Sequence, residues 1–284
     1  GQVEKTSLVA NKANGFMFER YGDLQTLSSL AIFTDPQLRS QTTLEQKQEI
    51  LDGYIKNYKA YDSIAVLDLE GNILFQSQGA ALPNQREQLY FQFVKKNAKS
   101  YIDLPTKSPT SEELIIHAAA PIRDRTTGEM IAIVRTRMPV KQLANFLLTE
   151  GVEDEYHILD AAGEVFIPTD EEYHLGREFF EYFPGLAKPL ITRKSGSEIV
   201  TDLEDNEEVI AAYTPTHSLE GLPDLYWQIV LLKDTAVAFA PLQRLETTLI
   251  LGTGLTALLV GLLAAYLANR ATKPILTAAD TVER

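Results

Sequence analysis

The sequence predicts an α+β fold in which a long N-terminal helix leads into two tandem antiparallel-sheet modules, followed by a transmembrane helix. Three observations carry this. From Thr247 to Ala268 no charged residue occurs, and Leu249 to Ala268 reads LILGTGLTALLVGLLAAYLA. Ahead of it, the spacing of apolar residues changes from helical to alternating near Asp62. Two stretches of sequence then recur at nearly one offset, 92 residues (Ile64 to Tyr156) and 94 residues (Glu113 to Glu207).

Residues 1–60 form the N-terminal helical region. Val9, Ala13, Phe16, Leu24, Leu27 and Ala31 keep three-to-four residue spacing with Arg20 as the one breach, and the run stops at Thr34-Asp35-Pro36. Asp35 is a cap followed by Pro at the first helical position, after which Leu44, Gln48, Leu51, Ile55 and Tyr58 make a second amphipathic stripe. Its partner is expected to be the first helix or a sheet face.

The repeat begins with Ile64-Ala65-Val66-Leu67-Asp68 and Gly71, echoed by Tyr156-His157-Ile158-Leu159-Asp160 and Gly163. Each reads as a strand, an Asp-x-x-Gly turn and a second strand. ELIIHAAAP from Glu113 resembles EEVIAAYTP from Glu207, and closing strands follow at Met130 to Met138 and Leu225 to Leu232. The modules are placed at 61–150 and 151–245, antiparallel sheets with helices beside them. Arg86 to Asn97 reads as a helix and Tyr101 to Thr110 as a loop; the aromatic insert of the second module, Glu171 to Lys188, reads as core and lid packing.

Twenty apolar or small residues at about 1.5 Å each match a hydrocarbon core of about 30 Å, so 248–268 is expected to span the bilayer. Arg270 and Lys273 follow at once, against Arg244 and Glu246 before it, which places the C-terminus in the cytoplasm and residues 1–245 outside, in the periplasm for an inner (plasma) membrane. The chain opens at Gly1-Gln2 without initiator Met, charged n-region or apolar h-region, so a fragment is expected, with a signal sequence or first membrane helix upstream.

With 39 acidic against 26 basic residues the net charge is −13, which argues against nucleic acid as a partner. No cysteine is present, removing disulfides, thiolate metal sites and Cys nucleophiles together. His117, His157, His174 and His217 have no metal-ligand spacing, and no nucleophile elbow, P-loop or dinucleotide fingerprint occurs. Lys194-Ser195-Gly196-Ser197 reads as a hairpin turn. The acidic run Asp202 to Glu208 lacks the Gly of a calcium loop and reads as a solvated turn. The chain is read as non-enzymatic, with no metal and no cofactor.

The long helix, the tandem V-L-D-x-x-G and A-x-P turns, the membrane helix and the Lys273-Pro274-Ile275 continuation together resemble a double-Cache (dCache) sensor domain, whose modules are PAS-like. Pro274 with Glu283 nine residues on resembles the opening helix of a HAMP linker, here 269–284, and Ile275, Ala278 and Val282 keep coiled-coil spacing. The resemblance implies a parallel homodimer that signals ligand occupancy through the membrane to downstream cytoplasmic signalling proteins, as in bacterial methyl-accepting chemotaxis proteins. Sensor histidine kinases share this order. A tethered protein-interaction domain without a small ligand, and an anchored hydrolase, are the other readings; a pocket of roughly 300 Å³ or more in the first module would favour a small ligand.

The resemblance also implies a ligand in the membrane-distal module, here the first. Along the closing strand, alternation puts Met130, Ala132, Val134, Thr136 and Met138 on one face and Ile131, Ile133, Arg135 and Arg137 on the other. Arg135 and Arg137 are then a clamp for carboxylate or phosphate, or else two exposed arginines paired with Asp62, Asp103 or Glu129. Amino-acid-binding members carry an R-x-W on the pocket helix, a later Tyr, and an Asp near the end of this strand. Here Gln88-Leu89-Tyr90 stands at R-x-W, Tyr101 can supply the Tyr, and Arg137 occupies the Asp place, which disfavours an ammonium and favours an anion. Tyr90, Phe91 and Tyr101 are candidate walls and Arg86 a second anchor, and Asp103 and His117 complete the candidate set.

Overall fold

The computed structural model describes residues 1–152, 156–168, 176, 179–204, 206–235, 248–268 and 270. Two units are distinguished, Gly1–Lys233 and Asp234–Arg284.

Helix α1 (Gln2–Ser28) buries Val9, Ala13, Phe16, Leu24 and Leu27, the stripe read from the spacing. Arg20 is accommodated at the edge of that stripe. Its guanidinium lies 4.9 Å over the Phe16 ring, and its Nε donates to Asp23 at 2.9 Å. Tyr61 donates to the same carboxylate at 2.7 Å.

The expected single helix up to Thr34 is broken at Ser29, and α2 (Ala31–Thr34) is a separate turn. Asp35 accepts from the N–H groups of Gln37 and Leu38 at 2.9 and 3.0 Å and starts α3 (Pro36–Gln41). A capping box between Thr43 and Gln46 starts α4 (Leu44–Tyr58) anew. Two caps eight residues apart, Asp35 and Thr43, therefore give two helices where the stripe suggested one.

Strands β1 (Ser63–Leu67) and β2 (Ile73–Gln76) flank the first Asp-x-x-Gly turn, and α4 packs on them. Asp68 accepts from the N–H groups of Glu70 and Asn72 at 2.9 and 2.8 Å. Gly71 sits at φ 86°, where a Cβ would lie 2.6 Å from the Arg86 nitrogen, so both the backbone angle and the close approach require glycine. Helix α5 (Leu89–Asn97) follows. The segment read as a loop contains two short strands, β3 (Tyr101–Ile102) and β4 (Thr106–Lys107), both recruited by the edge of β5 (Leu114–Arg123). β6 (Met130–Pro139) and α6 (Val140–Thr149) complete the first module. The sheet is antiparallel in the order β2-β1-β6-β5-β3, with β4 also on β5.

The second module repeats this plan. β7 (Tyr156–Leu159) and β8 (Val165–Pro168) flank the turn at Asp160, which accepts from Ala162 and Glu164 as Asp68 does from its neighbours. Then come α7 (Phe179–Tyr182), a 3-10 turn at Pro184–Leu186, α8 (Ala187–Ile191), β9 (Gly196–Asp202), β10 (Glu207–Pro215) and β11 (Gln228–Asp234). The order β8-β7-β11-β10-β9 matches that of the first sheet. Gly196-Ser197, read as part of a turn, opens β9 instead, paired with Tyr213 and Ala212. Of the acidic run, Asp202 ends β9 and Glu207 and Glu208 start β10, with Asp202 opposite Glu207; Asp205 lies outside the described residues.

One face of each sheet shares a continuous core with α1, containing Ile64, Val66, Val134 and Met138 from the first and Tyr156, Ile158, Ile229 and Leu231 from the second. Thr6 and Thr214 hydrogen-bond at 2.7 Å, and Asn14 donates to the His217 carbonyl at 2.9 Å. The other faces are covered locally. Tyr90, Phe91 and Val94 of α5 pack on Ala65, Ala119 and Ile133, while Phe179, Phe183, Leu186 and Leu190 cover the second sheet.

In the second unit, α9 (Thr248–Ala268) has 21 residues and a mean hydropathy of 2.1, long and apolar enough to cross a membrane. The proposed HAMP segment, 269–284, lies outside the described residues apart from Arg270.

Candidate ligand-binding site

Strand register decides which candidate residues meet. β6 places Arg135 opposite Ala65 of β1 and Ala119 of β5, and Arg137 opposite Ser63 and His117. Tyr101 pairs with Ala119, and the Asp103 N–H donates to the His117 carbonyl at 2.8 Å. Two rows therefore cross the sheet on the face that α5 covers: Tyr101, Ala119, Arg135 and Ala65, then Asp103, His117, Arg137 and Ser63. Strict alternation holds only from Ala132 onward. A bulge between the pairs Ile122–Ala132 and Arg123–Met130 leaves Ile131 unpaired, so Met130 packs on the α5 side and Ile131 with the α1 core, the reverse of the sequence expectation.

Arg135 is 1% exposed, not a surface arginine. Its Nη1 donates to the Ser63 hydroxyl at 3.0 Å, and its Nε has no hydrogen-bond partner among the described residues. Burial pulls its pKa down, with Tyr90 and Asp62 opposing. Arg137 is the paired one. It donates to Ser108 at 2.8 Å and faces Asp62 at 3.4 Å. The expected exposed pair is thus half realised, in Arg137 with Asp62.

The His117 ring packs against Tyr90 with centroids 5.0 Å apart and planes tilted by 42°, and the Tyr90 hydroxyl donates to Gln85 at 2.6 Å. Burial, then the charges of Arg135 and Arg137, push the His117 pKa down to about 3, so the ring is neutral at physiological pH. Burial raises the pKa of Asp103, whose Oδ1 takes the Leu104 N–H at 2.8 Å. Burial likewise raises that of Asp62, against the pull of both arginines. Tyr101 is half-buried and stacks on Phe93 at 4.4 Å.

Arg86 and Phe91 do not join this cluster. The Arg86 side chain is 70% exposed beside Glu87, and with Phe91, Lys95 and Lys96 it lines a surface depression of about 480 Å³. Phe91 itself is buried as helix-to-sheet packing. A further cavity of the first module, about 280 Å³ and lined by Phe33, Lys47, Val66, Phe75 and Ala132, is on the opposite sheet face from the arginines. Ser63, Ser108 and Gln85 were not legible in the sequence. Single short polar residues in loops and at strand ends carry no periodic signal.

The family model for the Cache domain matches residues 2–242. No curated protein sequence matches the chain. Among solved structures, the ligand-binding domain of the Campylobacter jejuni chemoreceptor Tlp3, with 4-methylisoleucine, is 13% identical over 83% of this chain and 90% of that one, with a TM-score of 0.64. The ligand-binding domain of the Pseudomonas aeruginosa amino acid chemoreceptor PctC, with GABA, is 17% identical over 81% and 97%, TM-score 0.64. The extracellular domain of a putative histidine kinase, rpHK1S-Z16, is 15% identical over 83% and 94%, TM-score 0.63. Two sheets of one strand order strung on a single long helix, matched by that model over most of the chain, make this protein a member of the double-Cache (dCache) family.

Proposed function

We propose that the chain is the extracytoplasmic sensing region of a membrane receptor, its first module binding a small anionic ligand at Arg135 and Arg137 and α9 carrying the signal inward. The observation that carries this is the buried Arg135 guanidinium, whose Nε is unpartnered among the described residues while its neighbour Arg137 is held by a serine and a partly exposed carboxylate. A desolvated cation lacking a full set of partners is costly and is met by an anion. The ligands named with the similar chemoreceptor domains, 4-methylisoleucine and GABA, both carry a carboxylate. Here an arginine row supplies the anion partner, with Tyr90 and Tyr101 beside it, and the role is binding rather than catalysis. We assign the output to a chemoreceptor, acting as a parallel homodimer through a HAMP linker. The similarity to a kinase extracellular domain favours a sensor kinase as the second reading.

The test is calorimetry on the full chain in nanodiscs against carboxylates, phosphates, amines and neutral metabolites. Arg137→Ala removes a charge-assisted bond worth about 1.5 to 3 kcal/mol, so anion affinity is expected to fall roughly 10- to 150-fold. Arg137→Lys recovers part of it, since an ammonium lacks the fork. Unchanged anion affinity in Arg137→Ala would sink the assignment.

A further inference from the structure

The second module contains a cavity of about 640 Å³ that the arginine row does not touch. It adjoins the Asp160 turn, and its lining includes Asp160, Phe180, Ile191, Arg193, Tyr226 and Gln228.

The inner wall is rich in acceptors. Gln228 is 5% exposed; its Nε2 donates to the Leu190 carbonyl at 3.1 Å, and its Oε1 has no hydrogen-bond partner among the described residues. Register pairs Gln228 with Leu159, which puts its backbone next to Asp160. Asp160 is also 5% exposed. Its Oδ1 takes the N–H groups of Ala162 and Glu164 at 2.8 and 3.0 Å, and among the described residues no ion pair to it is seen. Burial raises its pKa against those backbone donors. A desolvated carboxylate and an amide oxygen without a donor among the described residues, lining one cavity, are complementary to a cationic N–H donor.

The outer wall is apolar except for Arg193. Ile191 is 78% exposed, and Phe180 packs beside the turn, where a Cβ on Gly163 would meet its ring at 3.6 Å. The Arg193 guanidinium lies 4.6 Å over the Tyr226 ring. Both residues have left-handed backbones, φ 53° and 54°; the Arg193 guanidinium donates to the Thr216 carbonyl at 3.3 Å, and the Tyr226 N–H donates to Asp224 at 2.9 Å. Arg193 already faces Asp224 at 3.8 Å, so the rim does not demand an anion.

We propose that this cavity is a second ligand site, binding a small organic ammonium ion with its N–H donors toward Asp160 and Gln228 and its apolar body against Phe180, Ile191 and Tyr226. It is independent of the first-module reading.

The full chain in nanodiscs is titrated with n-butylamine, phenethylamine and 3-phenylpropionate, a comparison that separates amine from carboxylate on one ring. At least one amine is expected to saturate a site and 3-phenylpropionate not to compete for it. Asp160→Asn keeps the turn acceptor and removes the charge, and should weaken amine binding about 10-fold or more. Ile191→Trp, on an exposed side chain, should fill the mouth and weaken it too, with unfolding temperature unchanged. Arg137→Ala should leave amine affinity intact, which separates this site from the arginine row. Failure of both amines to saturate, competition by 3-phenylpropionate, or undiminished amine affinity in Asp160→Asn would overturn the proposal.

Discussion

Arg137 divides its donors between Ser108 and Asp62, so an arriving anion has to compete with a resident carboxylate. With side chains 22% and 36% exposed, that ion pair is screened and worth only about 0.2–1 kcal/mol. Asp62→Asn should therefore tighten anion binding by up to about 5-fold, measured by calorimetry beside Arg137→Ala; weaker binding would mean that Asp62 helps to hold the ligand. His117 gives a prediction of opposite kind. Its pKa falls from 6.5 to about 3 on folding, so between these values the unfolded chain binds more protons. Stability is fully present above pH 6.5 and is lost as pH falls through that window, by at most about 1.4 kcal/mol per pH unit. Burial raises the pKa of Asp62, Asp103 and Asp160, whose contributions run the other way. Comparing His117→Gln with the parent isolates the histidine. Urea unfolding at pH 7 and pH 5 should show a smaller acid loss in the variant by about 1 to 2 kcal/mol, and equal losses would remove His117 as the cause.

At the scale of elements, the two Asp-x-x-Gly turns set strand pairing in both modules through one device, an Asp oxygen holding two backbone N–H groups. The first turn is the more constrained, because Gly71 lies against the Arg86 backbone just ahead of α5. Gly71→Ala should cost more than Gly128→Ala. Both residues have positive φ, 86° and 75°, but only Gly71 has atoms within 4 Å of the added Cβ. The backbone angle alone costs about 1–2 kcal/mol, and the excess measured by urea unfolding reports the close approach. Equal costs would show that α5 shifts freely. The helix and strand patterns were readable here, whereas β3, β4 and the Ile131 bulge were not, since each exists only because a neighbouring strand supplies partners.

For the whole molecule, the orientation reading makes a labelling prediction. On intact cells, or after permeabilising an outer membrane where one is present, Ser111→Cys should react with an impermeant thiol reagent and Thr277→Cys should not. Residues 1–284 contain no cysteine to interfere. Reversed labelling would invert the topology. The shared core on α1 also gives the two modules a common mechanical element, because Val9 to Leu27 pack into one cluster with residues from both sheets.

What sequence alone determined is periodic or local: the α1 stripe, the Asp35 cap, the repeated Asp-Gly turns, and a span from Thr248 to Ala268 apolar enough for a bilayer. Those signals survive because each depends on residues within a few positions of one another. Tertiary structure decided what depends on lateral register. It buried Arg135, paired Arg137 with Asp62, and gathered Tyr90, Tyr101, Asp103 and His117 around them, while leaving Arg86 at the surface. It also placed Asp160 and Gln228, 68 positions apart by their numbers, on one cavity wall. Contacts between distant strands follow from which edges meet, and no spacing within a single strand encodes that choice.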